Sequence, residues 1–125
     1  MTDTQSTSDI STSDFSSLGR AIEARDADGV LAWYSTDATL TVLDRDHPPA
    51  APLVFSGIDE IGTYYRDVCG RNVDHKVGDA VITADGLAYT ENCRYPDGVA
   101  VMCATVARTR GGKIHTQTAI QVWDN

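Results

Sequence analysis

The carboxyl-terminal part of the chain constrains the fold most, because it consists of alternating segments separated by turn-forming residue pairs. The segments are residues 73–83, 87–95, 99–109 and 113–123. Asp85-Gly86, Asp97-Gly98 and Gly111-Gly112 lie between them, and such pairs tolerate the positive φ angles that tight hairpin turns require. Alternation of apolar and polar residues without a helical period indicates strands. These residues therefore predict a meander of four antiparallel strands.

The residues before this meander combine helical and strand patterns. Apolar side chains recur at helical spacing over 15–22 and 58–68, which predicts a helix in each stretch. Asp28 is placed to cap a short helix that extends to Tyr34, and the β-branched residues 38–43 predict a strand. Helices gathered early and strands gathered late indicate an α+β fold rather than a doubly wound one.

The 125 residues fit one domain after a short leading segment. Residues 1–13 are mostly Ser, Thr and Asp, and Ile10 is their only apolar residue after the initiator. Such a segment does not bury enough surface to offset the entropy of ordering it. We therefore predict a disordered tail over 1–13 and a single domain over 14–125.

Charge and cysteine content restrict the partners. The net charge of −8 repels a nucleic-acid backbone or an anionic membrane surface, so we predict neither as a partner. The cysteines are Cys69, Cys93 and Cys103, an odd number without the close spacing of a zinc or redox motif. We predict free thiols and a cytoplasmic location. Without a phosphate-binding loop, a dinucleotide fingerprint, or a His-x-His or Glu-x-x-His pair, the sequence predicts no cofactor and no metal.

Two local motifs accompany this order of elements. The first runs from Asp26-Ala27-Asp28-Gly29 through Trp33-Tyr34 to Leu40, and the second from Gly57-Ile58 to Tyr64-Tyr65. Together with the element order, they resemble the nuclear transport factor 2-like superfamily and, within it, SnoaL-like and ketosteroid-isomerase-like proteins. The resemblance implies a cone-shaped, cystatin-like α+β barrel in which a curved antiparallel sheet wraps over three helices. It also implies a homodimer and a cavity for a small-molecule ligand.

The same resemblance argues against one particular chemistry. Ketosteroid isomerases place a general-base Asp where this chain has Val42, an oxyanion-donating Tyr at Leu18, and a protonated acid near Cys103 or Thr105. The steroid-isomerase mechanism needs these groups and is therefore not supported. Tyr34 and Tyr65 do match tyrosines of the family's hydrogen-bond network.

Asp44 and His115 are the predicted catalytic residues. Asp44 lies two positions beyond Val42, hence on the same strand face, where a desolvated carboxylate would suit a general base. Alternatively, Asp44 begins a solvated polar loop. His115 shares a face of the last strand with Gln117, and family geometry implies that this face looks inward. Alternatively, that face is solvent-exposed, since turn length sets the register.

The hairpin at Asp97-Gly98 supplies further ligand-binding predictions. A two-residue turn puts Asn92 and Arg94 on one face opposite Cys103, where the amide and guanidinium would bind a carbonyl or carboxylate. Alternatively, Arg94 lies along the sheet with its head in water. The predicted ligand-binding residues are Tyr34, Tyr64, Tyr65, Asn92, Arg94, Cys103 and Gln117.

Function follows less directly from the sequence than fold does, because this scaffold supports many activities. One hypothesis is a cofactor-free isomerase, cyclase or hydratase that uses acid–base chemistry on a small hydrophobic or polyketide-like substrate. The alternative is a non-catalytic ligand-binding or accessory dimer, and a third hypothesis is a purely structural dimer module.

Overall fold

The computed structural model describes residues 12–124. The helices are α1 (Thr12–Glu23), α2 (Ala27–Leu31) and α3 (Ile58–Cys69). The strands are β1 (Tyr34–Leu43), β2 (Leu53–Ser56), β3 (Asp74–Thr83), β4 (Gly86–Arg94), β5 (Ala100–Arg110) and β6 (Lys113–Trp123). Of the predicted tail, residues 1–11 lie outside the described residues, whereas residues 12 and 13 already belong to α1.

The six strands form one sheet in the order β2-β1-β6-β5-β4-β3. Strands β3 to β6 make the predicted antiparallel meander, while β1 pairs with β6 in parallel. The predicted α+β cone is confirmed, with the correction that its curved sheet is mixed rather than wholly antiparallel.

The core lies between the helices and the inner face of the sheet. Leu18 on α1 and Ile61 on α3 are almost fully buried, and they meet Leu40 on β1 and Ile114 on β6 in one apolar cluster. The helical spacing of the apolar residues thus marks the faces that pack on the sheet. No helix within residues 12–124 has both the length and the apolar character to cross a membrane.

The junction between α2 and β1 differs from the sequence prediction. The carboxylate that caps α2 belongs to Asp26, which accepts a hydrogen bond from the Gly29 backbone N–H at 3.1 Å, and not to Asp28. Tyr34 is a strand residue rather than the end of the short helix, because it pairs with Ile114 on β6. Strand pairing with a buried neighbour has outweighed the local helical pattern.

The loop between β4 and β5 is one residue longer than predicted. The Tyr95 N–H donates to the Val99 carbonyl at 2.9 Å, and the Gly98 N–H donates to the Tyr95 carbonyl at 2.9 Å. The loop therefore comprises residues 96–98. Gly98 has a φ of 94°, and a glycine with positive φ is typical of the last position in a three-residue hairpin loop. The predicted two-residue turn at Asp97-Gly98 is wrong.

This extra residue exchanges the two faces of β4 relative to β5, because side chains along a strand alternate with a period of two. Glu91 pairs with Cys103 and Cys93 pairs with Val101, and all four lie on the inner side. Asn92 pairs with Met102 on the opposite, outer face.

Two valine truncations test the position of the core. Val42 is 1% exposed and Val81 is 63% exposed. Val42→Ala should lower the free energy of unfolding by about 2 kcal/mol, because it removes buried methyl groups and leaves a cavity. The same change at Val81, on the edge strand β3, should cost less than about 0.5 kcal/mol. Chemical denaturation measures both values, and equal costs would contradict this placement of the core.

Candidate functional site

A cavity of about 90 Å³ lies between the helices and the inner face of the sheet. Its wall is largely apolar and aromatic, with Leu40, Tyr89 and Trp123 among the lining residues. Arg71 also lines it and is exposed, so this part of the wall opens to solvent. The volume is below the roughly 300–1,000 Å³ of pockets for drug-sized ligands. The cavity therefore suits a small molecule, or one end of a longer molecule that extends through the opening.

A hydrogen-bonded chain of buried polar side chains lies at one side of the cavity. The Tyr65 and Tyr34 hydroxyl oxygens are 2.7 Å apart, the Tyr34 hydroxyl donates to the Gln117 amide oxygen, and the Gln117 amide nitrogen donates to the Thr105 hydroxyl at 3.4 Å. A tyrosine hydroxyl has one proton. Because Tyr34 gives its proton to Gln117, Tyr65 must be the donor to Tyr34. This chain ties α3 to the sheet and leaves Tyr65 no proton for a ligand.

Burial keeps the cavity phenols protonated. It raises the pKa values of Tyr34, Tyr65 and Tyr89 well above the usual range, and it also raises that of Tyr64. The Tyr64 hydroxyl differs from that of Tyr65. Within residues 12–124 it accepts its hydrogen bond, which the Gln121 amide nitrogen donates at 3.5 Å. Tyr64 therefore retains a proton that it can donate into the cavity.

A second polar cluster, the His75–Glu91–Cys93 cluster, lies on the inner face of β3 and β4. His75 Nδ1 is 2.7 Å from Glu91 Oε2 and 3.2 Å from Cys93 Sγ, and Cys93 Sγ donates to Glu91 Oε2 at 3.4 Å. The side chains of His75 and Glu91 are only 5% and 17% exposed. The bond to a carboxylate assigns a proton to Nδ1. His75 Nε2 is buried without a partner among the described residues.

All three cysteines line the same cavity, although they lie on α3, β4 and β5. Burial raises the pKa of Cys69, and it raises that of Cys103 to about 11. Burial, followed by the charge of Glu91, raises the pKa of Cys93. The thiols are therefore protonated near neutral pH and are poor nucleophiles.

The predicted ligand-binding residues divide between the two faces of the sheet. Tyr64, Tyr65, Cys103 and Gln117 line the cavity, and Tyr34 lies behind it in the hydrogen-bonded chain. Asn92 and Arg94 do not reach the cavity, because the three-residue loop turns them to the outer face. Arg94 donates to the Gly98 carbonyl at 3.1 Å instead.

Asp44 also lies away from the cavity. Its Oδ1 is 2.9 Å from Nδ1 of His47 and accepts from the Asp46 backbone N–H at 2.9 Å. Partial burial raises the pKa of Asp44, but these hydrogen bonds outweigh burial and hold it below the ordinary value. The carboxylate closes a local turn at the end of β1, so the prediction that it faces the pocket is corrected.

A β-bulge removes His115 from the inner face. The β5–β6 register shifts by one residue where His115 lies, so both Ile114 and Gln117 are buried although three positions separate them. An extra residue in one strand interrupts the alternation on which the prediction relied. His115 instead lies outside the cavity. Its Nδ1 is 3.0 Å from Arg110 Nη2 and 3.7 Å from Asp37 Oδ1.

Sequence reasoning did not single out His75 and Glu91. The alternation of Tyr89, Glu91 and Cys93 is visible in the sequence, but the sequence leaves open which face of this strand lines the cavity. His75 stood far along the chain from any partner, and the pairing of His75 with Cys93 across β3 and β4 becomes visible only in the sheet.

Several solved structures share this fold. The chain is similar to an NTF2-like protein of unknown function from Mesorhizobium loti, with a TM-score of 0.76, 9% identity, and coverage of 86% of this chain and 87% of that one. An NTF2-like protein of unknown function from Burkholderia xenovorans gives 0.72 at 16% identity, over 89% and 80% of the two chains. At such identities the similarity concerns the fold.

A third similar structure contains a ligand. It is a protein with a ketosteroid isomerase-like fold from Catenulispora acidiphila in complex with trimethylamine, with a TM-score of 0.63, 19% identity, and coverage of 84% and 82%. Among curated protein sequences, none matches this chain. A model of the SnoaL-like domain matches residues 17–116, and the chain belongs to this family. The resemblance inferred from the sequence motifs is confirmed.

Thiol alkylation tests the environment of the cavity. At pH 8, a pKa of about 11 for Cys103 leaves about a hundredfold less thiolate than an ordinary thiol pKa near 9, and only thiolate reacts. Iodoacetamide should therefore modify Cys103 at least about a hundredfold more slowly in the folded than in the denatured protein. Peptide mass spectrometry follows the reaction, and similar rates in both states would contradict the buried position.

Proposed function

We propose that this protein is a cofactor-free acid–base enzyme, an isomerase, cyclase or hydratase, and that Glu91 is its general base. The observation that carries the proposal is a carboxylate on the wall of a mostly apolar cavity, held at 2.7 Å by a buried histidine. A general base must be fixed within hydrogen-bonding reach of the bound substrate. Glu91 replaces Asp44 and His115 in this role.

The two oxygens of Glu91 have different surroundings. Oε2 accepts hydrogen bonds from His75 and Cys93, which orient the carboxylate. No hydrogen bond within the described residues engages Oε1. This oxygen supports the proposal because it is free to remove a proton from a substrate in the cavity.

Tyr64 supplies the complementary hydrogen bond. A carbonyl substrate whose neighbouring C–H proton moves to Glu91 transfers the C–H electron pair towards its oxygen, which becomes an enolate. A donor fixed near that oxygen stabilises the transition state. Tyr64 has an uncommitted proton, and Tyr64 and Glu91 line the same cavity. Return of the proton from Glu91 to another carbon completes an isomerisation.

The substrate class follows from the cavity. Its apolar wall and small volume favour a compact carbonyl compound, or the carbonyl end of a polyketide-like molecule that extends past Arg71. A thermal-shift screen of ketones, epoxides and polyketide fragments identifies ligands, because a ligand that binds the folded state raises the Tm. Hits are then tested for turnover by mass spectrometry and NMR.

Variants of Glu91 and Tyr64, with Asp44 as the control, test the proposed catalytic roles. Glu91→Gln should lower kcat by about 10²- to 10⁴-fold, since the amide cannot accept the proton, while ligand binding by thermal shift persists. Tyr64→Phe should lower kcat by about 10²- to 10³-fold. Asp44→Asn should leave kcat unchanged. A loss at Asp44 instead of Glu91 would contradict the assignment, and ligand binding without turnover in the wild type would favour the non-catalytic binding module.

We also propose that two copies pair through the outer face of β5 and β6. Met102, Val106, Ile120 and Val122 are 45–64% exposed there, and Met102 and Val122 are direct cross-strand neighbours. A contiguous exposed apolar patch is typical of an interaction surface. A second copy would cover it through a self-complementary contact, in agreement with the homodimer that the family resemblance implies.

A charge on this patch tests the dimer. Ile120→Glu should convert the dimer to a monomer, because association would bury an unpaired carboxylate. Ala50→Glu, in an exposed loop before β2, is the matched control and should stay dimeric. Sedimentation equilibrium measures the mass, and circular dichroism checks the fold. A wild type that sediments as a monomer would refute the pairing.

A reducing, cytoplasmic location completes the proposal. The three thiols are free and lie along one cavity, and free thiols persist where the compartment is reducing. The net charge of −8 supports small molecules and a second copy as partners, rather than nucleic acid or an anionic membrane.

A further inference from the structure

We infer that the His75–Glu91–Cys93 cluster is a binding site for a divalent transition-metal ion of the zinc class. The binding rests on these three side chains alone. Its consequence, that an ion bound to Oε2 lowers the basicity of Glu91 and slows proton transfer, rests on the proposed function. The site differs from the sequence prediction of no metal because β3 and β4 bring together ligands that lie far apart in the chain.

The distances within the cluster are close to those of a metal site. Nδ1, Oε2 and Sγ form a triangle with sides of 2.7, 3.2 and 3.4 Å. A tetrahedral zinc ion with bonds of about 2.0–2.3 Å holds its ligand atoms about 3.3–3.6 Å apart. Both distances to Sγ are within a few tenths of an ångström of this range. Only Nδ1 and Oε2 must separate, by roughly 0.6 Å, for which side-chain rotation is sufficient.

The donor set selects the class of ion. Imidazole nitrogen, carboxylate oxygen and thiolate sulfur together suit Zn²⁺ or Co²⁺, whereas Mg²⁺ and Ca²⁺ prefer oxygen ligands alone. His75 and Cys93 are direct cross-strand partners, and Glu91 shares the inner face of β4 with Cys93. Two paired strands therefore fix three ligands. All three ligand residues line the cavity, which leaves room for the open fourth position that zinc sites with three protein ligands keep.

When the ion is absent, protons occupy two of the ligand atoms, Nδ1 of His75 and Sγ of Cys93, and binding redistributes them. The Cys93 thiol releases its proton to solvent, and the ring proton of His75 moves from Nδ1 to Nε2, so that one proton leaves per ion bound. Nε2 has no acceptor among the described residues. The loss of a partner of this kind typically weakens metal binding about 10- to 100-fold. We therefore expect micromolar rather than nanomolar affinity.

Cobalt spectroscopy on the full-length protein tests the site directly. Metal-free protein is titrated with Co²⁺, and thiolate-to-cobalt charge transfer is followed in the near ultraviolet. The expected result is a saturable band at one ion per chain, abolished by excess Zn²⁺. Cys93→Ser should remove the band and weaken Co²⁺ binding at least about tenfold. Cys69→Ser, which changes a thiol of the same cavity outside the cluster, should retain both.

Contrary outcomes are equally specific. Absence of the band in folded wild type at excess Co²⁺, or its loss in Cys69→Ser but not in Cys93→Ser, would overturn the site. Circular dichroism verifies folding, and His75→Gln removes a second ligand if Cys93→Ser does not fold. A cobalt band without turnover of any substrate supports the metal site and contradicts the proposed enzyme. Turnover without a band does the reverse. Inhibition by Zn²⁺ of the wild type but not of Cys93→Ser supports both the metal site and the proposed enzyme.

Discussion

The register between β4 and β5 is the constraint on which the rest of the site depends. The glycine at position 98 adopts a positive φ and closes a three-residue loop, and this one extra residue turns Glu91 and Cys93 towards the helices. With a two-residue turn, the cavity would have received Asn92 and Arg94, and a cationic wall would have favoured an anionic ligand. A single loop residue thus determines whether the cavity wall contains the carboxylate of Glu91 or the guanidinium of Arg94.

Tyr64 and Tyr65 are adjacent on α3, but their hydroxyl groups make different hydrogen bonds. The Tyr65 hydroxyl donates its proton to Tyr34, and the Tyr34 hydroxyl donates to Gln117. The Tyr65 phenol therefore contributes to stability. Tyr64 accepts a hydrogen bond from Gln121 and keeps its own proton. Both phenols line the cavity, so distance does not distinguish them. The phenol whose proton is already used in a hydrogen bond within the protein is structural, and the phenol whose proton is free is available to a substrate.

The fold was more predictable than the site. Helical spacing identified α1 and α3, and alternation with Gly-rich turns identified β3 to β6, because both patterns reflect which side chains are buried. The parallel pairing of β1 with β6 was not visible, since strand order depends on contacts between distant residues. Asp44 and His115 were misplaced for local reasons: a turn captures the first, and a bulge displaces the second.

The sequence by itself determined an acidic α+β domain of the SnoaL-like family without the isomerase carboxylates, because apolar periodicity and residue identity are local properties. Tertiary structure alone decided which residues meet in the cavity. His75 and Glu91 stand sixteen positions apart in the chain, and they come within hydrogen-bonding distance only because β3 and β4 pair in one particular register. Register is set by loop length and bulges, and a change of one residue moves every side chain to the opposite face.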